Sequence, residues 1–404
     1  MKFLIIEQDL RVSGTSQGII SRSFLAKLRK AYPESLIDVH YIKAEDSLDK
    51  LELLPVNNII QHRVNIKLPL LIKLINKLYW RIFSISLGEK WIVKQYSRVI
   101  SQIEYKAYDH IFIRSAGVAH ETILATLDLP VLKDAIVNFH DPFPVAWYVG
   151  SRLEPTKLDF FRLAKMMKVV ERAKVCTSTA SYMSHDLQHL YKSKKPFLTL
   201  PHQFDPTVFD LTDSSLVRKK EKRVSISYHG ALMFGRNIEN LIKAYNDILA
   251  SDPSYVENTE LILRVKGNEV ARIVEIYKDA TNIKFLTTIN FSNSSSEQVY
   301  QSDIVIILEN GPYYCNILVG KAPFLASSNK AVLCLSPRKS ELRNIISDDR
   351  CIADMENKEE IKVKLKALID NELNSGPTVR PFGDYFGETN FKGQLDEILR
   401  INLS

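Results

Sequence analysis

Residues 228–245 read Tyr228-His-Gly-Ala-Leu-Met-Phe-Gly-Arg-Asn-Ile-Glu-Asn-Leu-Ile-Lys-Ala-Tyr245. An apolar-alternating run, Arg223–Tyr228, predicts a strand that leads through a glycine-containing loop into an amphipathic helix. Such a join directs backbone N–H groups and a helix N-terminus at one point, which suits a phosphate group. A second series of this kind starts at residue 2. The sequence therefore predicts two α/β halves with a working site in a cleft between them.

Strand-like and helix-like segments alternate along both halves, which predicts mainly parallel sheets covered by helices. In the first half we expect helices at Gln17–Ala31 and Leu158–Arg172, and strands at Lys2–Ile6, Leu36–Ile42, His110–Arg114, Ala135–His140, Lys174–Thr179 and Phe197–Leu200. In the second half we expect strands at Arg223–Tyr228, Glu260–Lys266, Ile283–Leu286, Asp303–Leu308, Ala331–Leu335 and Arg350–Ala353.

The length of 404 residues exceeds one ordinary core, and 45% apolar with 25% charged residues is a globular composition. We expect an N-terminal domain over 1–205 and a C-terminal domain over 206–385. A final helix within 386–404 could pack back on the first domain. The charged segment Asp205–Lys222 is interpreted as the linker, and Ser292–Ser296 as a surface loop.

The four cysteines lack CxxC spacing, which favours a reduced protein with buried thiols. No secretory signal and no charge-free window long enough to span a bilayer is present in the sequence. These features predict a cytoplasmic location.

One basic region, residues 63–106, holds nine Lys or Arg and two acids, so its excess of +7 equals that of the whole chain. Lys73, Lys77 and Arg81 form a stripe at i, i+4, i+8 on an otherwise apolar helix. This pattern favours contact with an anionic membrane surface. The alternative is an ordinary helix with a solvated cationic stripe. Nucleic acid is disfavoured because no zinc-finger or RNP-like pattern is present.

His140 and Asp141 stand at the end of a predicted strand, the edge at which α/β proteins place their sites. A histidine there can exchange a proton or hydrogen-bond a sugar hydroxyl, with the aspartate orienting it. The alternative is a structural histidine. The other candidates in this half are Gly14, Thr15 and Gly18 in the first loop, Arg114 at a strand end, and His202 before the linker.

Cations and glycines stand at successive strand ends of the second half, where they could hold a diphosphate. We expect Arg236 in the first turn of its helix. The candidate donor-binding residues are Gly230, Arg236, Lys266, Asn316, Gly320 and Lys321. Any one of them could instead be an ordinary surface residue. No Asp-x-Asp, HExxH, Walker or clustered Cys/His pattern is present, so no metal site is expected.

The order of these motifs resembles the GT-B glycosyltransferases, in particular the large retaining family 4. The matching segments are Gly14–Gly18, His140-Asp141, Pro201–Asp205, Tyr228–Tyr245, Asp303–Leu308 and Phe324–Leu335. The resemblance implies two facing Rossmann-like domains, with the acceptor on the first and a nucleotide-sugar donor on the second. It implies sugar transfer to a glycan or lipid-linked glycan of a bacterial surface polysaccharide, lipopolysaccharide O-antigen or capsule, at the inner face of the membrane. No cofactor is implied, and a UDP-sugar is favoured over a GDP-sugar.

Two departures from the family pattern keep alternatives open. The usual Glu-x7-Glu positions hold Asn316 and Phe324, and the usual arginine after the first glycine is Ala231. In a retaining transfer His140 would position the donor sugar, and in an inverting one Asp141 or His140 would be the base. The alternatives are a sugar-nucleotide epimerase and a non-catalytic glycan- or membrane-binding protein on a degenerate GT-B fold.

Overall fold

A computed structural model describes residues 1–14, 16–144, 154–377 and 379–401. The chain divides into two compact units. The N-terminal unit contains the chain up to Val208 and the segment that begins at Gly387, whereas the C-terminal unit contains Phe209–Phe386. The sequence pattern predicts these divisions at residues 205 and 385. Among the described residues, no helix combines the length and apolar character needed to cross a bilayer.

The sheet of the N-terminal unit has seven strands: β1 Lys2–Glu7, β2 Leu36–Lys43, β3 Asn58–Arg63, β4 His110–Arg114, β5 Ala135–Phe139, β6 Val175–Ser178 and β7 Phe197–Thr199. Their order is β3-β2-β1-β4-β5-β6-β7, and each neighbouring pair is parallel. The order reverses between β1 and β4, which places a topological switch point there. Phe3 to Ile6 of β1 are fully buried because helices cover both faces of the sheet.

The helices of this unit are α1 Ser16–Ala31, α2 Leu70–Phe83, α3 Leu87–Ile100, α4 Glu121–Leu124, α5 Lys157–Arg172 and α6 Ser181–Leu190. The last helix of the chain, Glu388–Leu399, packs against α1 of the same unit. The ring of its buried Phe391 meets the Phe24 ring edge-on, with the centroids 6.2 Å apart. Helix α5 begins at a capping box in which Thr156 and Asp159 satisfy each other's backbone N–H groups.

The C-terminal unit is built on a six-stranded parallel sheet and a separate two-stranded ribbon. Its strands are β8 Val224–Ala231, β9 Thr259–Lys266, β10 Ile283–Leu286, β11 Ile304–Leu308, β12 Tyr314–Cys315, β13 Ala331–Ser336, β14 Lys339–Ser340 and β15 Ile352–Asp354. The sheet order is β10-β9-β8-β11-β13-β15, and β12 pairs with β14. The order reverses between β8 and β11, which is the switch point of this unit.

Seven helices cover the second sheet: α7 Glu239–Ser251, α8 Pro253–Asn258, α9 Val270–Ile276, α10 Phe291–Tyr300, α11 Ala322–Ser327, α12 Glu341–Ile345 and α13 Lys358–Leu373. The final helix of the chain, described above, is α14. One apolar cluster joins β8, β9 and β11 to α7 and α13. It includes Ile226, Leu241, Leu263, Ile306 and Ile361, none of which has exposed surface.

One interpretation of a polar segment is wrong: Ser292–Ser296 is not a surface loop but part of α10, whose N-terminus is capped by the Asn290 side chain. The chain passes from one unit to the other between Val208 and Phe209, within the expected linker Asp205–Lys222. The linker begins at a buried residue, because Asp205 lies 2.7 Å from the ammonium of Lys30 in the N-terminal unit. The stretch that follows binds the C-terminal unit, where the Arg218 N–H donates to Glu297.

Candidate functional site

The carboxyl edge of the C-terminal sheet brings together three segments that are far apart in the sequence. Strand β8 ends at Ala231, and β11 is followed at this edge by Glu309 and Asn310. Lys321 lies directly before α11. The β8–β11 switch point is the position at which open α/β sheets leave a crevice for ligands.

The Lys321 ammonium is buried and has no hydrogen-bond partner in the described part of the chain, although other parts of this residue are partly exposed. Its Nζ lies 4.7 Å from the centroid of the Tyr228 ring, and no acid neutralises it among the described residues. Burial, assisted by the charge of Arg236, lowers the pKa of Lys321 to about 7. A buried ammonium with three unused donors is an incomplete anion site.

Gly230 provides the space for this ammonium. A Cβ atom at Gly230 would lie 3.1 Å from Lys321 Nζ and 2.8 Å from the hydroxyl of Tyr228. Because the Tyr228 hydroxyl also donates to the Ala231 carbonyl at 3.1 Å, the ring has little freedom to move aside. A side chain at Gly230 would therefore occupy the space beside the ammonium.

Arg236 lies at the same edge but not in the first turn of a helix, because α7 begins only at Glu239. Strand β8 continues to Ala231, past the expected end at Tyr228, and Arg236 falls in the loop that follows. The Arg236 Nε donates to Asn310 Oδ1 at 3.1 Å and its Nη1 donates to the Ala231 carbonyl at 3.2 Å. These uncharged oxygens fix the guanidinium without neutralising it, so Arg236 and Lys321 form a pair of uncompensated cations.

The other predicted donor residues have separate surroundings. Lys266 ends β9 with an exposed side chain that makes no ion pair within the described ranges. Asn316 is buried just after β12, and Gly320 lies directly before Lys321. Of the predicted cations, the structure brings Arg236 and Lys321 together at one edge, whereas Lys266 stands at the end of a neighbouring strand.

Glu309 is a site residue that the sequence reasoning missed. It is fully buried at the end of β11, and its Oε2 atom has no hydrogen-bond partner. Burial raises the pKa of Glu309 to about 7, and its neighbour Asn310 holds Arg236. An acid directly after the apolar run Ile304–Leu308 was the available signal.

A buried polar network occupies the switch point of the N-terminal unit. Arg114, at the end of β4, forms an ion pair with Glu7, at the end of β1. The Arg114 Nη2 donates to His140 Nε2 at 2.9 Å, and its Nε donates to Asn138 Oδ1 at 3.2 Å. Because the guanidinium is neutralised by Glu7 and shared among three partners, it is not available as an anion site.

His140 is held as a neutral imidazole of fixed tautomer. Its Nε2 accepts from Arg114, so its Nδ1 carries the proton and donates to Gln17 Oε1 at 2.8 Å. The ring has no exposed surface, and burial with the nearby Arg114 charge places the pKa of His140 well below its usual range. With both nitrogens engaged, His140 positions Gln17 rather than acting as a base.

Asp141 and His202 have different relations to this network. Asp141 is partly exposed and accepts from Gln17 Nε2 at 3.4 Å, so Gln17 links it to His140. His202 is buried edge-on to the His140 ring, with the centroids 5.5 Å apart. Its Nδ1 has no partner, and burial lowers the pKa of His202 to about 3. Glu7 and Gln17 were both missed by the sequence reasoning.

The predicted first loop has a packing role. Gly14 has a φ of +89°, in the left-handed region that glycine favours. A Cβ at Gly18 would lie 2.2 Å from the Arg11 carbonyl oxygen, so the start of α1 approaches the backbone too closely for any side chain. Thr15 lies outside the described residues. The described part of the chain contains no group of three or more His, Cys, Asp or Glu side chains arranged to hold a metal.

Comparisons with known proteins give a match at the level of the fold. No family model and no curated protein sequence matches this chain. A trehalose-6-phosphate synthase from Burkholderia multivorans has a TM-score of 0.60 at 10% identity, over 99% of this chain and 98% of that one. An Escherichia coli trehalose-6-phosphate protein bound with UDP-2-fluoro glucose has 0.61 at 10%, over 100% of both chains. A Listeria monocytogenes protein assigned as a UDP-N-acetylglucosamine 2-epimerase has 0.56 at 14%, over 96% and 94%.

These similarities extend over nearly the whole chain and include both sheets. The seven-stranded and six-stranded parallel sheets, each with a switch point and helices on both sides, agree with the predicted α/β class. The chain therefore has the GT-B fold, which consists of two Rossmann-like domains.

Proposed function

We propose that this protein is a metal-independent glycosyltransferase, a divergent relative of the retaining family 4, that uses a nucleotide-diphosphate sugar. The observation that carries the proposal is the pair of uncompensated cations, Lys321 and Arg236, at the switch point of the C-terminal unit. A departing nucleoside diphosphate gains negative charge as the glycosidic bond breaks. Fixed cations stabilise that charge most effectively when they are already in place and shielded from water.

The acceptor end of the proposed reaction belongs to the N-terminal unit. Asp141 is the partly exposed carboxylate of its switch-point network, and Gln17 holds it in place. If the reaction inverts configuration, Asp141 rather than His140 is the base, because both nitrogens of His140 are engaged. If the reaction retains configuration, Asp141 and Gln17 orient a hydroxyl group.

We further propose that the acceptor is a glycan or lipid-linked glycan of a bacterial surface polysaccharide, and that the protein binds the inner face of the cell membrane. Helix α2 supports this proposal, because eight of its large apolar side chains are exposed: Leu70, Leu71, Leu74, Ile75, Leu78, Trp80, Ile82 and Phe83. The cations Lys73, Lys77 and Arg81 on the same helix make no ion pair within the described ranges. Each such cation contributes about 1 kcal/mol near an anionic surface.

Titration calorimetry with UDP, GDP and their sugars tests the donor site. Arg236→Ala and Lys321→Met should each weaken UDP binding at least about tenfold, because a hydrogen bond to a charged group contributes about 1.5–3 kcal/mol. Lys243→Met removes an exposed cation from α7 and is the matched control. Unchanged affinity in both site variants would exclude this diphosphate site.

A sugar-nucleotide epimerase is the second candidate, because the fold is shared with the Listeria protein as well as with the synthase. Nuclear magnetic resonance spectra of a UDP-sugar incubated with the protein separate the two activities. Interconversion of the free sugar nucleotide identifies an epimerase, whereas consumption only with a glycan acceptor identifies a transferase. Tight binding without either reaction would identify a non-catalytic binding protein on a degenerate GT-B fold. The loss of activity would then follow from Asn316 and Phe324, which stand at the positions of the family's two glutamates.

A further inference from the structure

The N-terminal unit contains a cavity that the proposed sugar transfer does not use. Its volume is about 270 Å³, and it lies among α3, α5 and the segment that follows α4. We propose that this cavity binds the phosphate group of an alkyl phosphate, that is, a phosphate ester carrying an apolar chain. The proposal rests on unpaired cations next to an apolar wall and is independent of the proposed sugar transfer.

The charged side chains of the cavity leave three lysines without an ion pair. Arg162 is paired with Glu89, and Asp128 lies 3.6 Å from Arg172. The cavity also includes Lys90, Lys94 and Lys165, which make no ion pair in the described part of the chain. The four cations that line the cavity therefore outnumber its two carboxylates, Glu89 and Asp128, by two charges.

Lys165 shows the energetic consequence of this arrangement. Its side chain is half-buried, and its Nζ lies 4.7 Å from the centroid of the Phe161 ring. Burial and the charge of Lys90 lower the pKa of Lys165. A dianionic phosphate in this cavity would bring negative charge to Lys165 and to the exposed Lys90 and Lys94, and would favour their charged forms.

One part of the cavity wall is apolar and would contact the chain of an alkyl phosphate rather than a free phosphate ion. Val93, Leu124, Leu127 and Phe161 line it beside the lysines. An apolar chain attached to the phosphate would bury its surface there, at about 25 cal/mol per Å². The volume lies just below the usual range for ligand pockets, which suits a headgroup and a short stretch of chain better than an oligosaccharide.

Helix α3 connects this cavity with the exposed helix α2. The Gly88 N–H of α3 donates to Asn76 Oδ1 of α2 at 3.1 Å, and the next residues of α3, Glu89 and Lys90, line the cavity. Two sources of the same chemistry are therefore possible: the headgroup of a membrane lipid, or a soluble phosphate ester.

Binding of n-hexyl phosphate, inorganic phosphate and 1-hexanol to the full chain tests the proposal by calorimetry. Hexyl phosphate should bind at least about tenfold more tightly than either of the others, because only it uses both the cations and the apolar wall. The double variant Lys90→Met/Lys165→Met should lose at least about tenfold in hexyl phosphate affinity. Lys168→Met, which removes an exposed cation from the same helix as Lys165, should stay within about twofold.

The result that overturns the proposal is hexyl phosphate affinity that is equal in the double variant and the unaltered protein, or no stronger than that of inorganic phosphate. An unchanged calorimetric unfolding transition of the N-terminal unit shows that the double variant is folded, and an unchanged UDP affinity keeps this test separate from the donor site. Sedimentation with phosphatidic acid vesicles then identifies the source. A loss of vesicle binding in the double variant supports a lipid headgroup, whereas a loss confined to hexyl phosphate supports a soluble ester.

Discussion

At the residue scale, the Lys321 ammonium and the Glu309 carboxyl are both buried at the same sheet edge, and neither has an ion-pair partner among the described residues. Burial shifts their pKa values in opposite directions, and each reaches about 7. Opposed pKa shifts of this kind are typical of sites that bind or transfer charge, because an apolar side chain would occupy a purely structural position at a lower cost in free energy. Both groups can therefore change protonation when a ligand arrives at neutral pH.

Binding of UDP at pH 8 should be accompanied by proton uptake at Lys321. With a pKa of about 7 in the ligand-free protein, this lysine is mostly neutral at pH 8, and a diphosphate would restore its charged form. Calorimetry in two buffers of different ionisation enthalpy measures the uptake. It should disappear in Lys321→Met, persist in Lys243→Met, and fade below pH 6, where the lysine is already protonated. Equal binding enthalpies in the two buffers at pH 8 would contradict this assignment.

Glu309→Gln should make the C-terminal unit more stable at pH 8 than the unaltered protein. The folded-state pKa is raised from 4.5 to about 7, so the folded state holds a proton that the unfolded state has lost. Stability is therefore lost as pH rises through this window, by on the order of 3 kcal/mol for the shift cited. Urea unfolding at pH 5 and pH 8 measures the slope, which should be reduced in Glu309→Gln and unchanged in the exposed control Glu257→Gln. A stability gain that is equal at both pH values would argue against the raised pKa.

The sequence located His140 and Arg114 at strand ends but could not give their roles. Arg114 is neutralised by Glu7, which is 107 residues away in the chain. Arg114, held by this ion pair, donates to His140 and so fixes the tautomer of its ring. The partly exposed polar groups of the network are therefore Gln17 and Asp141 rather than His140. A single sequence carries no signal for such partners, because they meet only when β1 and β4 pair across the switch point.

At the element scale, the buried parallel strands were predictable because each is a short apolar run between turn residues. The expected strands His110–Arg114 and Ile283–Leu286 agree with the structure. Strand β3 was missed because an edge strand with exposed residues has no continuous apolar run. Helix α10 was missed because its serines resemble a loop, and its stability comes from the Asn290 cap and from buried contacts.

Helix α2 was predicted from its periodicity, and contact with an anionic membrane surface was the favoured interpretation of its pattern. No residue of helix α2 is buried by the described part of the chain, and Leu71, Leu74 and Leu78 are 71%, 76% and 62% exposed. This exposed apolar patch beside a cationic stripe is the observation behind the proposal that α2 binds an anionic membrane surface.

Replacing Leu71, Leu74 and Leu78 together by Gln should reduce sedimentation with phosphatidylglycerol vesicles at least about tenfold. Burial of one leucine contributes about 1.5–3 kcal/mol, so even partial insertion of three gives a measurable effect. The folded state should be unaffected, because these side chains are exposed. Val363→Gln, which removes an exposed apolar side chain of the C-terminal unit, serves as the control. Vesicle binding that survives the triple replacement would exclude α2 as the attachment surface.

At the scale of the whole molecule, the two units differ in how the chain builds them. Within the described residues, the C-terminal unit is formed by one continuous segment, Phe209–Phe386, with its own apolar core. The N-terminal unit needs both ends of the chain, because α14 returns to cover α1. Phe391 and Leu395 of α14 are buried there, and the Tyr32 hydroxyl donates to Asp396.

Removal of residues 387–404 should therefore lower the melting temperature of the N-terminal unit alone. Loss of the buried Phe391 side chain by itself is expected to cost about 3–5 kcal/mol, so the whole helix contributes a large share of a domain's stability. Calorimetric unfolding with and without UDP identifies each transition, since UDP at a hundred times its Kd should stabilise only the unit that binds it, by about 2.7 kcal/mol. The truncated chain should keep the UDP-sensitive transition of the C-terminal unit unchanged, while the insensitive transition shifts down or disappears. The matched control is Glu397→Gln, an exposed position on the same helix that leaves the apolar contacts intact. If the truncation lowers both transitions equally, the two units unfold as one. If UDP shifts both transitions, the donor site is not confined to the C-terminal unit.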